Sequence, residues 1–83
     1  MHILVLTPEK EIFNGDIVSV KVPGTSGQFE VLKDHAPIVA ALGEGAVSIV
    51  GAEGGKKSFK ITSGFIEVLY NEVSLLVRGV TDM

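Results

Sequence analysis

A chain of 83 residues has room for one domain, near the lower limit of what folds alone. With 46% hydrophobic residues and a net charge of −3 it is globular rather than disordered, and its mild acidity offers no basic face for nucleic acid. The lack of cysteine excludes a disulfide framework and thiolate chemistry.

No apolar run approaches the roughly 18 residues that a membrane-spanning helix needs. Met1-His2 leads directly into the first strand, so no signal or transit peptide is expected. His2 to Leu6 is apolar on both sides after its first residue, the pattern of a central strand. Thr7-Pro8 breaks it. Glu11-Ile12-Phe13 meets Asn14-Gly15, a dipeptide that predicts a tight hairpin turn. Asp16 to Val22 alternates with period 2, which points Val18, Val20 and Val22 inward.

Pro23-Gly24 stops that strand, because proline fixes φ and lacks an N–H while glycine accepts positive φ. Gln28 to Leu32 is a short strand after Gly27, and Lys33-Asp34-His35-Ala36-Pro37 is a polar turn. The stretch from Pro23 to Pro37 therefore reads as a projection that presents Ser26, Gln28, Asp34 and His35 beside apolar Phe29, Val31 and Leu32. Ile38 to Leu42 is apolar, with alanines that would also allow one helical turn. Ala46 to Val50 aligns Val47 with Ile49, and Gly51 to Gly55 is a hairpin tip. Lys57 to Thr62 points Phe59 and Ile61 inward and Lys60 outward. Gly64 permits a bend or a close approach. Phe65 to Tyr70 and Val73 to Val77 complete the set, with Asn71-Glu72 as the turn between them.

These segments predict an all-β fold of roughly ten strands, a flattened β-sandwich or barrel of two sheets, in one domain over 1–83. Burying about fifteen Val, Ile, Leu and Phe side chains at ~1.5–3 kcal/mol each gives a few tens of kcal/mol, most of which ordering entropy cancels, leaving a marginal domain. Phe29, Val31, Ile38 and Val39 are more apolar residues than one end of a small domain can turn inward. A leftover apolar patch of this kind marks a protein interface.

Chemistry-bearing constellations are sparse. His2 and His35 would need carboxylates to complete a metal site, and none is expected. There is no Gly-x-Ser-x-Gly elbow. Gly24-Thr25-Ser26-Gly27 lacks the lysine and the helix of a phosphate-binding loop, so it reads as a turn. Glu9, Glu11 and Asp16 read as solvated surface. Glu67 shares a face with Phe65 and Leu69. Either it is buried against Lys60, Arg78 or a backbone N–H, or that face is an outward docking surface. No catalytic residue and no cofactor is expected.

The order and spacing of several residues resemble the N-terminal β-sandwich of the epsilon subunit of F-type ATP synthases. They are Pro8, Phe13-Asn14-Gly15, Val22 to Gly27, Leu32 and His35-Ala36-Pro37 in the first half. In the second half they are Leu42, Gly45, Ser63 to Val68, Asn71 and Val73. The resemblance runs from about Ile3 to Val77. It implies a noncatalytic central-stalk rotor subunit that docks the gamma shaft to the polar loops of the c-ring, coupling proton or sodium translocation to ATP synthesis in the alpha/beta head. It implies peripheral attachment at the cytoplasmic face of a bacterial inner membrane, with contact to the membrane only through the complex. It implies a gamma and c-ring interface at Ser26, Gln28, Phe29, Asp34, His35 and Ile38. Where the family often carries acidic residues this chain has Ser26 and Gln28, and Glu30 and Lys33 replace a glycine and a proline common before the histidine. The family's C-terminal helical hairpin is expected to be absent. The alternative reading is a stand-alone small-ligand or carbohydrate-binding sandwich using Phe29 and Tyr70; the lack of tryptophan and the single tyrosine argue against a sugar platform.

Overall fold

Nine strands and no helix make up the described part of the chain, residues 1–82, in the computed structural model. They are β1 (His2–Leu6), β2 (Glu11–Gly24), β3 (Gly27–Leu32), β4 (Ile38–Leu42), β5 (Gly45–Gly51), β6 (Lys56–Ile61), β7 (Ser63–Leu69), β8 (Glu72–Arg78) and β9 (Thr81–Asp82). The hydrogen-bonded order is β1-β8-β7-β4-β2-β5-β6-β9, with β3 on β2 and a further β1–β2 pairing.

The long strand β2 joins two layers. Its first half lies antiparallel to β1, and its second half pairs with β3 and β5. One layer is β4-β7-β8-β1 with the start of β2; the other is β3, the end of β2, β5, β6 and β9. At its last residue β2 also meets β4, with Gly24 opposite Leu42. The ladder β1-β8-β7-β4 thus returns to β2 at both ends, which gives the sandwich a barrel-like closure. All pairings are antiparallel except β1 with β8.

Between the layers lies one core built from Ile3, Val5, Ile17, Val20, Val22, Val31, Leu42, Val47, Ile49, Phe59, Ile61, Ile66, Val68, Val73, Leu75 and Val77. Period-2 alternation accounts for most of it: β5 buries Val47 and Ile49, β6 Phe59 and Ile61, β7 Ile66 and Val68, and β8 Val73, Leu75 and Val77. β1 is central, as its composition predicts, and buries Ile3 and Val5.

Three local expectations are overturned. Asn14-Gly15 is not a hairpin turn. It lies within β2, opposite Leu4 and Ile3, so the two strands expected on either side of it are one. Val18 does not point inward but is 52% exposed, while Ile17 and Val20 are buried. A register shift between Ile17 and Ser19 against β5 inserts Val18 as an extra residue, a β-bulge that switches the phase of the strand. Pro23-Gly24 does not stop β2, which runs on through both residues in its pairing with β3. Ile38–Leu42 is a strand as read, and the helical turn that its alanines would allow does not form. β9 was not expected from the pattern at all, because a two-residue strand has no periodicity.

Candidate partner interface

The residues from Pro23 to Pro37 occupy one side of the sandwich, where β3 and β4 are open edges. β3 pairs only with β2, and β4 pairs with β7 and at one residue with β2. Thr25-Ser26 is the turn of the β2–β3 hairpin, closed by Gly24 opposite Gly27, whose φ of 132° no branched residue would adopt. Ser26 and Gln28 are exposed there. Phe29 and Ile38 are half-buried and packed against the core, and a Cβ on Gly24 would come within 2.9 Å of the Phe29 ring.

Asp34 and His35 lie beyond the opposite end of β3. The strand rises about 3.3 Å per residue, so the Ser26 turn and the Asp34 turn stand on the order of 17 Å apart. The candidate residues therefore line an edge rather than meet at one point. His35 is half-buried; its backbone N–H donates to Leu32 at 3.1 Å, and its Nδ1 lies 2.7 Å from the Ala36 carbonyl oxygen. Asp34, with φ of 64°, is tied to Asn71 of the β7–β8 turn. Its N–H donates to Asn71 Oδ1 at 2.7 Å, and Asn71 Nδ2 donates to Asp34 Oδ1 at 3.1 Å.

The surplus apolar surface is mostly elsewhere. Of the residues expected to overflow at the projection, Val31 is buried, Phe29 and Ile38 cover the core, and only Val39 is free, at 71% exposed. Val39 belongs to the outer face of the β4-β7-β8-β1 layer. Cross-strand register there aligns Ala41, Phe65, Leu76 and Leu6 in one row over four strands, with Val39, Glu67, Ser74 and Leu4 in the next. Phe65 is 58% and Leu76 49% exposed. The choice left open for Glu67 is settled: it points to solvent beside Phe65 and Leu69, over a layer whose inward residues are Ile66 and Val68. Next to the apolar row a groove of about 540 Å³ runs between Leu6, Pro8, Ala41, Gly64, Phe65 and Leu76. The sequence carried half of this surface in the alternation of Phe65, Glu67 and Leu69. Leu76 and Leu6 join it only through strand order.

Charged chemistry is thin. Among the described residues no group of three potential metal ligands converges. The single ion pair among them joins His2 to Asp16 at the surface. A cleft of about 760 Å³ between the Thr7–Lys10 turn and Gly79-Val80 is rimmed by both signs, with Glu9 and Glu11 against Lys10, Lys57 and Arg78. Of the two aromatic residues that a sugar platform would use, Phe29 packs against the core and Tyr70 stands exposed on the β7–β8 turn, on a different strand connection.

An open strand edge and an uncovered apolar row, on a body with one continuous core, put the chain among protein-docking β-sandwiches. It belongs to one such family, described as "ATP synthase, Delta/Epsilon chain, beta-sandwich domain", whose model matches residues 1–82. The chain is 43% identical over 76 residues to the ATP synthase epsilon chain of Protochlamydia amoebophila, covering 92% of this chain and 52% of that one. It is 40% identical over 77 residues to the epsilon chain of Chlorobium limicola, covering 93% of this chain and 88% of that one. The chain thus spans about half the length of the first relative and most of the second. In fold it is similar to a chain of the Euglena gracilis mitochondrial ATP synthase structure, with a TM-score of 0.86 at 18% identity over 96% of this chain and 51% of that one. It is likewise similar to a chain of the Tetrahymena thermophila mitochondrial ATP synthase central stalk and c-ring, with a TM-score of 0.81 at 19% identity over 99% and 66%. No helix among the described residues is long and apolar enough to cross a membrane.

Proposed function

We propose that this chain is a noncatalytic rotor subunit of an F-type ATP synthase, one β-sandwich that fastens the gamma shaft to the polar loops of the c-ring. In this role it couples proton or sodium translocation to ATP synthesis in the alpha/beta head. It is peripheral at the cytoplasmic face of a bacterial inner membrane and touches the membrane only through the complex.

The observation that carries the reading, beside family membership, is the row Ala41-Phe65-Leu76-Leu6, left uncovered on the outer face of a closed sandwich. A coupling element must hold two partners on separate surfaces of one stiff body. The apolar row suits a large, dry contact with the shaft, since buried aromatic and aliphatic anchors carry most interface energy. The β3/β4 edge suits a smaller polar contact with ring loops: Ser26, Gln28, Asp34 and His35 sit on or beside its turns, where binding residues concentrate, and Phe29 and Ile38 brace them from the core side. Closure through β2 keeps the two surfaces in fixed relation.

Gel filtration of the chain with its purified gamma partner tests the proposal. A 1:1 complex retained at micromolar concentration is expected. Separate elution overturns the role.

A further inference from the structure

The β7–β8 turn carries an arrangement that neither the core nor the apolar row explains. Leu69 pairs with Glu72, which leaves Tyr70 and Asn71 as the two turn residues, both left-handed, with φ of 50° and 64°. Asparagine suits that region, whereas tyrosine is seldom found there. Tyr70 is nevertheless 83% exposed, so no burial compensates its backbone.

Asn71 is bonded at three places. Its carbonyl oxygen accepts from the His2 N–H at 2.9 Å, which anchors the turn to β1. Its side chain clasps Asp34 by both amide atoms, at 2.7 and 3.1 Å, across a separation of 37 residues. Two turns that belong to different strand connections are thereby locked side by side. One carries Asp34 and His35 and the other Tyr70.

From this geometry we infer that the Tyr70-Asn71 turn and the Asp34-His35 turn form one composite contact surface, in which Asn71 is the positioning residue and Tyr70 the exposed anchor. The inference rests on the reading of the β3/β4 edge as a partner contact. The partner chemistry it fits is a protein loop bearing arginine or lysine. Asp34 keeps its second carboxylate oxygen free of the clasp, Glu72 follows Asn71 directly, and an exposed aromatic ring attracts a cation over its face.

The test uses the full chain bound to its gamma partner and titrated onto purified c-ring in nanodiscs. Asn71→Gly keeps the left-handed backbone and removes the clasp. It is expected to speed hydrogen exchange at the Asp34 amide about tenfold and to weaken ring docking about tenfold, with gamma binding unchanged. Tyr70→Ser is expected to weaken ring docking to a similar degree while leaving that amide protected. Raising salt should weaken wild-type docking. If the wild type docks and both variants dock equally well, the composite surface is wrong and the functional reading stands. If Asp34 exchange is unmoved in Asn71→Gly, the positioning role is wrong. If the wild-type complex does not bind the ring at all, the functional reading fails and takes the contact surface with it.

Discussion

His2 and Asp16 face each other across β1 and β2, with Nδ1 of the imidazole 3.2 Å from the Asp16 carboxylate. The other ring nitrogen, Nε2, lies 2.6 Å from Asn14 Oδ1, so both nitrogens have an oxygen to donate to, an arrangement that suits the imidazolium. The hydrogen bond to Asp16 leads in raising the His2 pKa above its ordinary value of 6.5, with Asn14 and the charges of Glu72 and Asp16 adding to it.

A pH dependence follows from that shift. The folded-state pKa lies above the unfolded one, so the stabilising contribution is fully present below the unfolded value. It is lost as pH rises through the folded value. Wild type and His2→Gln should therefore differ in Tm at pH 5.5 and converge by pH 8.5. The group is solvent-exposed, so the difference should be small and should shrink further in high salt. A constant gap across the range would remove the ion pair as its cause.

The outer apolar row predicts a separation of stability from assembly. Phe65→Ser removes no core contact and should change unfolding stability by no more than about 0.5 kcal/mol. Association with the gamma partner should weaken about tenfold or more, the behaviour of a central interface anchor. Urea melts and binding titrations on the same variant check both halves.

Gly64 is required for a close approach. A Cβ there would collide with the Leu76 carbonyl oxygen and lie 3.1 Å from Val77 Cγ1, inside the β7–β8 ladder where Gly64 pairs with Val77. Gly64→Ala should cost about 2 kcal/mol or more, as overpacking at backbone does. Gly55→Ala is the control, since a Cβ at Gly55 meets nothing within 4 Å. It should be neutral or slightly stabilising in denaturant titrations.

Core truncation should make the chain dependent on its partner. Leu75 is fully buried at the centre of β8, and Leu75→Ala should cost about 2–5 kcal/mol. For so small a domain that is a large share of a total of about 5–15 kcal/mol. The variant should show a strongly lowered Tm alone and recover part of it when gamma is added in excess, because ligand binding favours only the folded state. Calorimetric scans with and without gamma would measure the recovery.

Much of this protein could be read along the chain because strand alternation is a local property. Val47 with Ile49, Phe59 with Ile61, and Val73 with Leu75 and Val77 declare the inward face of their strands without reference to any neighbour, and Gly27, with φ of 132°, marks the turn that follows β2, although Pro23 and Gly24 themselves stay in the strand. All-β architecture and family likeness rest on those signals. What only the tertiary structure decided is where non-local pairing overrode local preference. Asn14-Gly15 has the chemistry of a turn, yet pairing with Leu4 and Ile3 holds it extended, and Asn14 spends its amide oxygen on His2. The bulge at Val18 answers the register of β5, which the sequence of β2 does not contain. The row Ala41-Phe65-Leu76-Leu6 and the Asp34-Asn71 clasp draw on residues far apart in the chain. Periodicity sets which way a side chain points within its strand; strand order sets which side chains become neighbours and which face stays uncovered, and it comes from the closure of the whole sheet.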